Sequence, residues 1–309
     1  KFISIDQADQ WLDSQEPVIV LTLAGQARAY PIQVLIYHEI VNDEIADIPV
    51  SITFCPLCNA SIVFDRRVGG KVLDFGVTGK LRMSDMIMYD RQTESWWQQF
   101  TGKGIVGAYA GTVLKQIPAS IVAYGDFRET YPMGLVLSND TGYSRPYGRN
   151  PYKGYDRVGD YPFFFSGKID DRLPAMERVL FVRYGEQQRL YPFGLVSELS
   201  VINDELGNLK IAIFGKHGTL SALDAEQIKN SKKIVSVTAW SRQLDDQILS
   251  FEFSDNQIRD RETGSHWNIL GKATSGPYIG RQLNGVDSGV YFAFAWLAFN
   301  PDSDIYQKP

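Results

Sequence analysis

The stretch Thr53-Phe54-Cys55-Pro56-Leu57-Cys58-Asn59-Ala60-Ser61-Ile62-Val63-Phe64-Asp65 holds both cysteines of this 309-residue chain. A Cys-x-x-Cys pair sets two sulfurs on one side of a tight turn, where they share a metal or cycle between dithiol and disulfide. The residues after the second cysteine separate these settings. A redox motif opens a helix, whose N-terminus lowers the first thiol's pKa. A metal knuckle is a hairpin turn, and the residue after its second cysteine takes a positive φ that Asn or Gly tolerates. Here Ala60, Ile62 and Phe64 alternate with Ser61, Val63 and Asp65, in a run rich in β-branched and aromatic types. That is a strand pattern. The sequence predicts strand–turn–strand, with Asn59 in the left-handed position.

The flanking chain reads as more strands. Residues 18–23 and 27–30 flank Gly25 as a hairpin. Pro31 takes its favoured place at the start of a short helix over 32–40, with Ile32, Leu35, Ile36 and Ile40 at helical spacing. Strands are expected at 50–54, 61–68 and 71–77, the last two joined by Gly69-Gly70. Further strands are expected at 87–89, 96–100 and 112–117, and a short helix at 126–131. The fold class is mainly β with a few short helices (α+β).

Read against itself, the chain repeats. Ala29-Tyr30-Pro31 recurs as Leu190-Tyr191-Pro192, and Val41-Asn42-Asp43-Glu44 as Ile202-Asn203-Asp204-Glu205. Asp90-Arg91-Gln92-Thr93-Glu94-Ser95-Trp96-Trp97 recurs as Asp260-Arg261-Glu262-Thr263-Gly264-Ser265-His266-Trp267. Order is kept, so two pseudo-symmetric tandem-repeat halves are expected, 1–137 and 178–309. Residues 138–177 between them are rich in Gly, Pro, Tyr, Asp and Arg. Turn residues argue against long regular elements there, and rings argue against a free linker. An ordered central strap packed on both halves is the expectation.

Composition narrows the function classes. Hydrophobic residues at 44% and charged residues at 22% describe a globular chain rather than a disordered one. A net charge of −5 with no long Lys/Arg run excludes nucleic acid as an expected partner. No apolar run approaches the roughly 18 residues of a membrane span. The chain opens at Lys1 without Met, which suggests a mature form with its leader removed.

Two thiolates do not complete a metal site. Only His38, His217 and His266 supply imidazoles, and His38 lies shortly before the strand that delivers Cys55. Three of the five methionines fall in Met83-Ser84-Asp85-Met86-Ile87-Met88. A thioether is a soft ligand suited to copper. Cys55, Cys58, His38 and an axial Met88 are therefore the expected set, with copper as the metal and zinc with Asp85 as the fallback. The second half is an internal control: opposite the cysteine turn (214–220), His38 (197–200) and the Met cluster (255–258) it has no matching ligand. His217 alone stands in the turn region, able to face the strap or simply solvent. Asn42-Asp43 and Asn203-Asp204 are expected to close a helix, and Asp90-Arg91 and Asp260-Arg261 to form ion pairs. Asp65-Arg66-Arg67, Arg82 and Asp85 either line a pocket for a small anion or form a solvated face.

The runs 38–44, 53–59 and 88–93, in that order, resemble the microbial family of domain of unknown function 3179, and the likeness covers nearly the whole chain. The resemblance implies that His38, Cys55, Cys58 and Met88 belong to the family pattern, and that the protein is exported, hence periplasmic or secreted. Three functions compete. The first is an extracytoplasmic copper protein in electron transfer, metal handling or metal-centred oxidation, with a metal ion and a redox protein as partners. The second is a thiol–disulfide oxidoreductase using Cys55 as nucleophile and Cys58 as resolving thiol, with His38 or Asp65 as base. The third is a recognition module whose Tyr- and Trp-rich faces bind a polymer such as glycan, the cysteines forming a structural disulfide.

Overall fold

The computed structural model describes residues 1–308. The chain is mainly β, 45% strand and 11% helix. Its first sheet runs Phe2–Ile3, Leu135–Leu137, Gln26–Pro31, Pro17–Leu23, Ser120–Ala123. Pro17–Leu23 and Gln26–Pro31 pair in register through the turn at Ala24 and Gly25, both at positive φ. The helix Ile32–His38 follows directly. It is two residues shorter than the spacing suggested, because Glu39 turns to φ 58° and ends it.

A second sheet carries the cysteine hairpin, in the order Gln116–Ile117, Ala60–Asp65, Ile48–Cys55, Ile40–Ile45. A third runs Lys103–Val106, Trp96–Gln98, Asp85–Asp90, Phe75–Arg82. The expected strand at 71–77 is interrupted, Lys71–Val72 pairing with Arg67–Val68 before Phe75–Arg82 begins. From Arg178 onward come the hairpin Arg178–Tyr184/Gln187–Pro192, the helix Phe193–Leu199, then Val201–Leu206, Leu209–Leu220 and Lys233–Ser241. The last four-stranded sheet is Phe251–Ser254, Gln257–Asp260, His266–Trp267, Ala273–Ser275.

Two expectations about polar residues are corrected. Asn42 and Asp43 sit within a strand, not at a helix end. A half-buried carboxylate needs donors, and Asp43 receives them from Tyr30 Oη at 2.5 Å and from Arg28. Asn42 exchanges two hydrogen bonds with the Phe75 backbone. Asp204 takes the same donors from Tyr191 and Arg189, and Asn203 holds Phe251. Asp90 does not pair with Arg91 either. It accepts from the Thr93 backbone and hydroxyl and from Trp97 Nε1 at 2.9 Å, pinning a tight turn over a buried indole. Asp260 does this with Thr263 and Trp267.

Residues 138–177 contain no helix or strand but are tied down at several points. The Asn150 N–H donates to the Glu226 carbonyl. Asp156 is fully buried against Arg178, Ser221 and Lys232. Tyr155 Oη donates to the Leu57 carbonyl in the cysteine turn. That turn lies in the largest apolar cluster, which also takes in Phe181, Phe292 and Trp296. The Phe292 N–H donates to the Cys58 carbonyl at 2.8 Å, so a strand from the C-terminal part of the chain closes over the motif.

Candidate metal centre

Cys55 ends one strand and pairs across with Ala60, where the next strand begins. Asn59 has φ 49°, the left-handed geometry that only Gly, Asn and Asp reach at low cost. No helix starts here. The two sulfurs therefore lie on one side of a hairpin turn, as free thiols, 2% and 0% exposed.

A second hairpin meets them. Phe75–Arg82 and Asp85–Asp90 are joined by Met83 and Ser84, at φ 53° and 65°. Two successive positive φ values give the two-residue turn whose twist suits a hairpin. Met and Ser have none of glycine's freedom there, so contacts must hold the turn. They do: Ser84 Oγ donates to the Phe163 carbonyl. The Ser84 carbonyl lies 3.4 Å from Cys58 Sγ and 3.9 Å from Cys55 Sγ.

Asp85 follows at once. Its carboxylate is 0% exposed, and Oδ2 accepts from Gln98 Nε2 and from the Phe100 N–H at 2.9 Å. Oδ1 has no hydrogen-bond partner among the described residues. Cys55 Sγ, Cys58 Sγ and an Asp85 carboxylate oxygen all lie within 4.8 Å of one another. Above them Tyr155 accepts from the Phe163 N–H, and its ring lies 4.6 Å from that of Phe163.

Burial sets the protonation. Desolvation lifts the Asp85 carboxyl to about 7, against the opposing pull of its bonds to Gln98 and Phe100. Desolvation, then the neighbouring Cys55 and Asp85, pushes the Cys58 thiol well above its ordinary value. The Cys58 thiol therefore stays protonated without a cation, while the Asp85 carboxyl gains and loses its proton near neutrality. A buried carboxylate within 4.8 Å of two thiols, one of its oxygens taking no N–H or O–H donor among the described residues, is a donor set that a metal would satisfy.

The other expected ligands sit elsewhere. His38 ends its helix with Nε2 2.6 Å from Tyr147 Oη, which also bonds Thr141. Burial, then Arg145, lowers its pKa. Its ring is not part of the cluster around the sulfurs. Its neighbour Glu39 does reach the cysteine strand, through its carbonyl to the Phe54 N–H at 2.8 Å. Met88 is fully buried opposite Val77 and Trp97. Its cross-strand neighbour is Trp97, whereas Asp85 is held by the side chain of Gln98, the next residue of that strand and so on its other face. Asp65 is bound by Arg67 and Arg66 by Asp74, while Arg82 reaches only the neutral amide of Gln98. His217 bonds Ser197. Asp85 stood in the sequence only as a fallback. Its signal was a polar Ser-Asp pair opening an otherwise apolar strand.

The family model described as "Protein of unknown function (DUF3179)" matches residues 1–303. The chain belongs to that family. No curated protein and no solved structure matches it. No helix among the described residues is long and apolar enough to cross a membrane.

Proposed function

We propose that this DUF3179 protein binds a divalent metal through Cys55, Cys58 and Asp85. The observation that carries the reading is the convergence of two free, buried thiols and the fully buried Asp85 carboxylate, with ligand atoms within 4.8 Å of one another. Two thiolates and a carboxylate suit zinc, since a carboxylate is a harder donor than copper(I) prefers. Copper held with His38 requires that side chain to leave Tyr147, to which its ring is bonded. The extracytoplasmic placement implied by the resemblance belongs to the same reading. Because all three ligands are buried and acidic, metal uptake expels their protons and strengthens as pH rises. The test is elemental analysis of tag-free protein beside Cys55→Ser, Asp85→Asn and His38→Ala. Stoichiometric zinc lost in the first two but kept in the third supports the reading. Metal retained by Asp85→Asn overturns it.

A second reading, thiol–disulfide exchange with Asp85 as base, draws on that carboxyl's pKa near 7 beside both sulfurs. Burial of both sulfurs weighs against it. Insulin reduction by metal-free protein separates the two.

We also infer that the chain is a tandem duplication of 1–137 and 178–309, with 138–177 as a strap. The paired Tyr30–Asp43 and Tyr191–Asp204 bonds, and the Asp90–Trp97 and Asp260–Trp267 bonds, support it. The metal site belongs to the first copy. In the second, the matching hairpin is short, Phe251–Ser254 against Phe75–Arg82, and ends at Asp255-Asn256.

A further inference from the structure

A cleft of about 280 Å³, distinct from the cysteine turn, opens between the strand Pro17–Leu23, residues 117–120 and residues 282–286. Trp240 and Tyr131 line it together with Thr22, Ser120, Gln282 and Asn284. None of its lining residues carries a formal charge.

The indole is held rigidly. Trp240 Nε1 donates to Thr238 Oγ1 at 2.9 Å and to the Ile269 carbonyl at 3.2 Å. Gly271 packs against it so closely that a Cβ there would fall 2.6 Å from the ring. Gly271 is therefore a position where only glycine admits the aromatic. A ring fixed by two hydrogen bonds and a glycine, yet partly exposed in a cleft, is preorganised for stacking.

The polar groups around it are free. Among the described residues, Thr22 Oγ1, Ser120 Oγ, Tyr131 Oη and the Asn284 amide make no side-chain hydrogen bond, and Gln282 uses only its nitrogen. Donors and acceptors of both kinds thus surround an apolar platform. A second opening of about 290 Å³, beside Gln116, is filled in character by the Arg183–Asp287 ion pair and has no aromatic. Tyr131 also lines a neighbouring cleft of about 480 Å³ that includes Arg28 and Lys272, with Lys272 Nζ 5.6 Å over the Tyr131 ring.

We propose that this cleft binds an uncharged, polyhydroxylated ring, a saccharide unit stacked on Trp240. Hydroxyls meet the hydroxyl and amide groups of the rim, and the apolar face of the ring meets the indole. A charged ligand would find no counter-ion beside Trp240.

The probes are cellohexaose, xylohexaose and chitohexaose, titrated into the full chain by calorimetry and by tryptophan fluorescence, with hexagalacturonate as the charged contrast. At least one neutral oligosaccharide is expected to bind with Kd below about 1 mM. Trp240→Ala should weaken it at least about tenfold. Asn284→Ala, at an exposed position that leaves the fold intact, should weaken it measurably as well. The titrations are run alongside a separate zinc-binding measurement on the same wild-type protein, so failure of saccharide binding and failure of the metal reading are seen as different outcomes. No heat from any neutral probe overturns the proposal, as does binding of hexagalacturonate alone. Affinity that survives both Trp240→Ala and Asn284→Ala overturns the location.

Discussion

Asp85 offers the sharpest test, because asparagine and alanine separate its two roles. Replacing it with alanine removes the only acceptor for Gln98 Nε2 among the described residues and a direct acceptor for the Phe100 N–H, both in buried residues. Each stranded donor costs about 1–3 kcal/mol, so metal-free Asp85→Ala should lose about 2–6 kcal/mol. Asparagine can keep its carbonyl oxygen on those donors and turn its NH₂ toward the sulfurs. Its folding cost should stay below about 1 kcal/mol. Metal binding should fail in both, because a neutral amide replaces the anionic ligand. The loss should be no smaller than the roughly 10–100-fold that supporting partners of a ligand are worth. Urea unfolding of metal-free protein reads the first quantity, and competition with a chromophoric zinc chelator reads the second. Equal destabilisation by both substitutions would refute the hydrogen-bond argument. Unchanged zinc affinity in Asp85→Asn would refute the ligand assignment.

Three other substitutions probe the scaffold. Glu16 is buried, and desolvation raises its carboxyl from the ordinary 4.5 to about 7. The folded state thus favours the protonated form, and wild-type stability falls as pH rises from 4.5 to 7. Glu16→Gln should match wild type at pH 4 and exceed it by up to about 3 kcal/mol at pH 8, read by urea midpoints. An equal difference at both pH values would contradict this. Asn59→Gly should be nearly neutral, whereas Asn59→Val at φ 49° should cost about 1–3 kcal/mol in thermal or urea unfolding. Asp156→Ala leaves Arg178 and Lys232 without their buried partner and should cost about 3–5 kcal/mol, shown by a lower urea midpoint with unchanged m-value.

Much of the cysteine hairpin was legible because its determinants are local. Alternation from Ala60 to Asp65 and the tolerance of Asn59 for positive φ are properties of a few adjacent residues. The hairpin at Gly25 and the helix begun after Pro31 are local in the same way. Asp85 was harder, because its place at the sulfurs depends on the length of Phe75–Arg82 and on a turn that uses Met83 and Ser84 rather than glycine. Nothing near Asp85 in the chain announces that geometry. Met88 drew attention for its sulfur, but strand alternation sends it away from Asp85. Asn42-Asp43 and Asp90-Arg91 misled for another reason. Polar pairs read as turns or ion pairs in sequence, while here Asn42, Asp43 and Asp90 are acceptors for backbone, tyrosine and indole donors that come from strand pairing.

The hydrogen bond from the Phe292 N–H to the Cys58 carbonyl makes the motif a joint between distant parts of the chain. Any shift of Cys58 on taking up or releasing an ion must pull on Ser288–Phe292 and on the helix Ala293–Phe299 behind it. Occupancy of the sulfurs would then be felt as mechanical tension over residues 288–299, and amide hydrogen exchange there should report it.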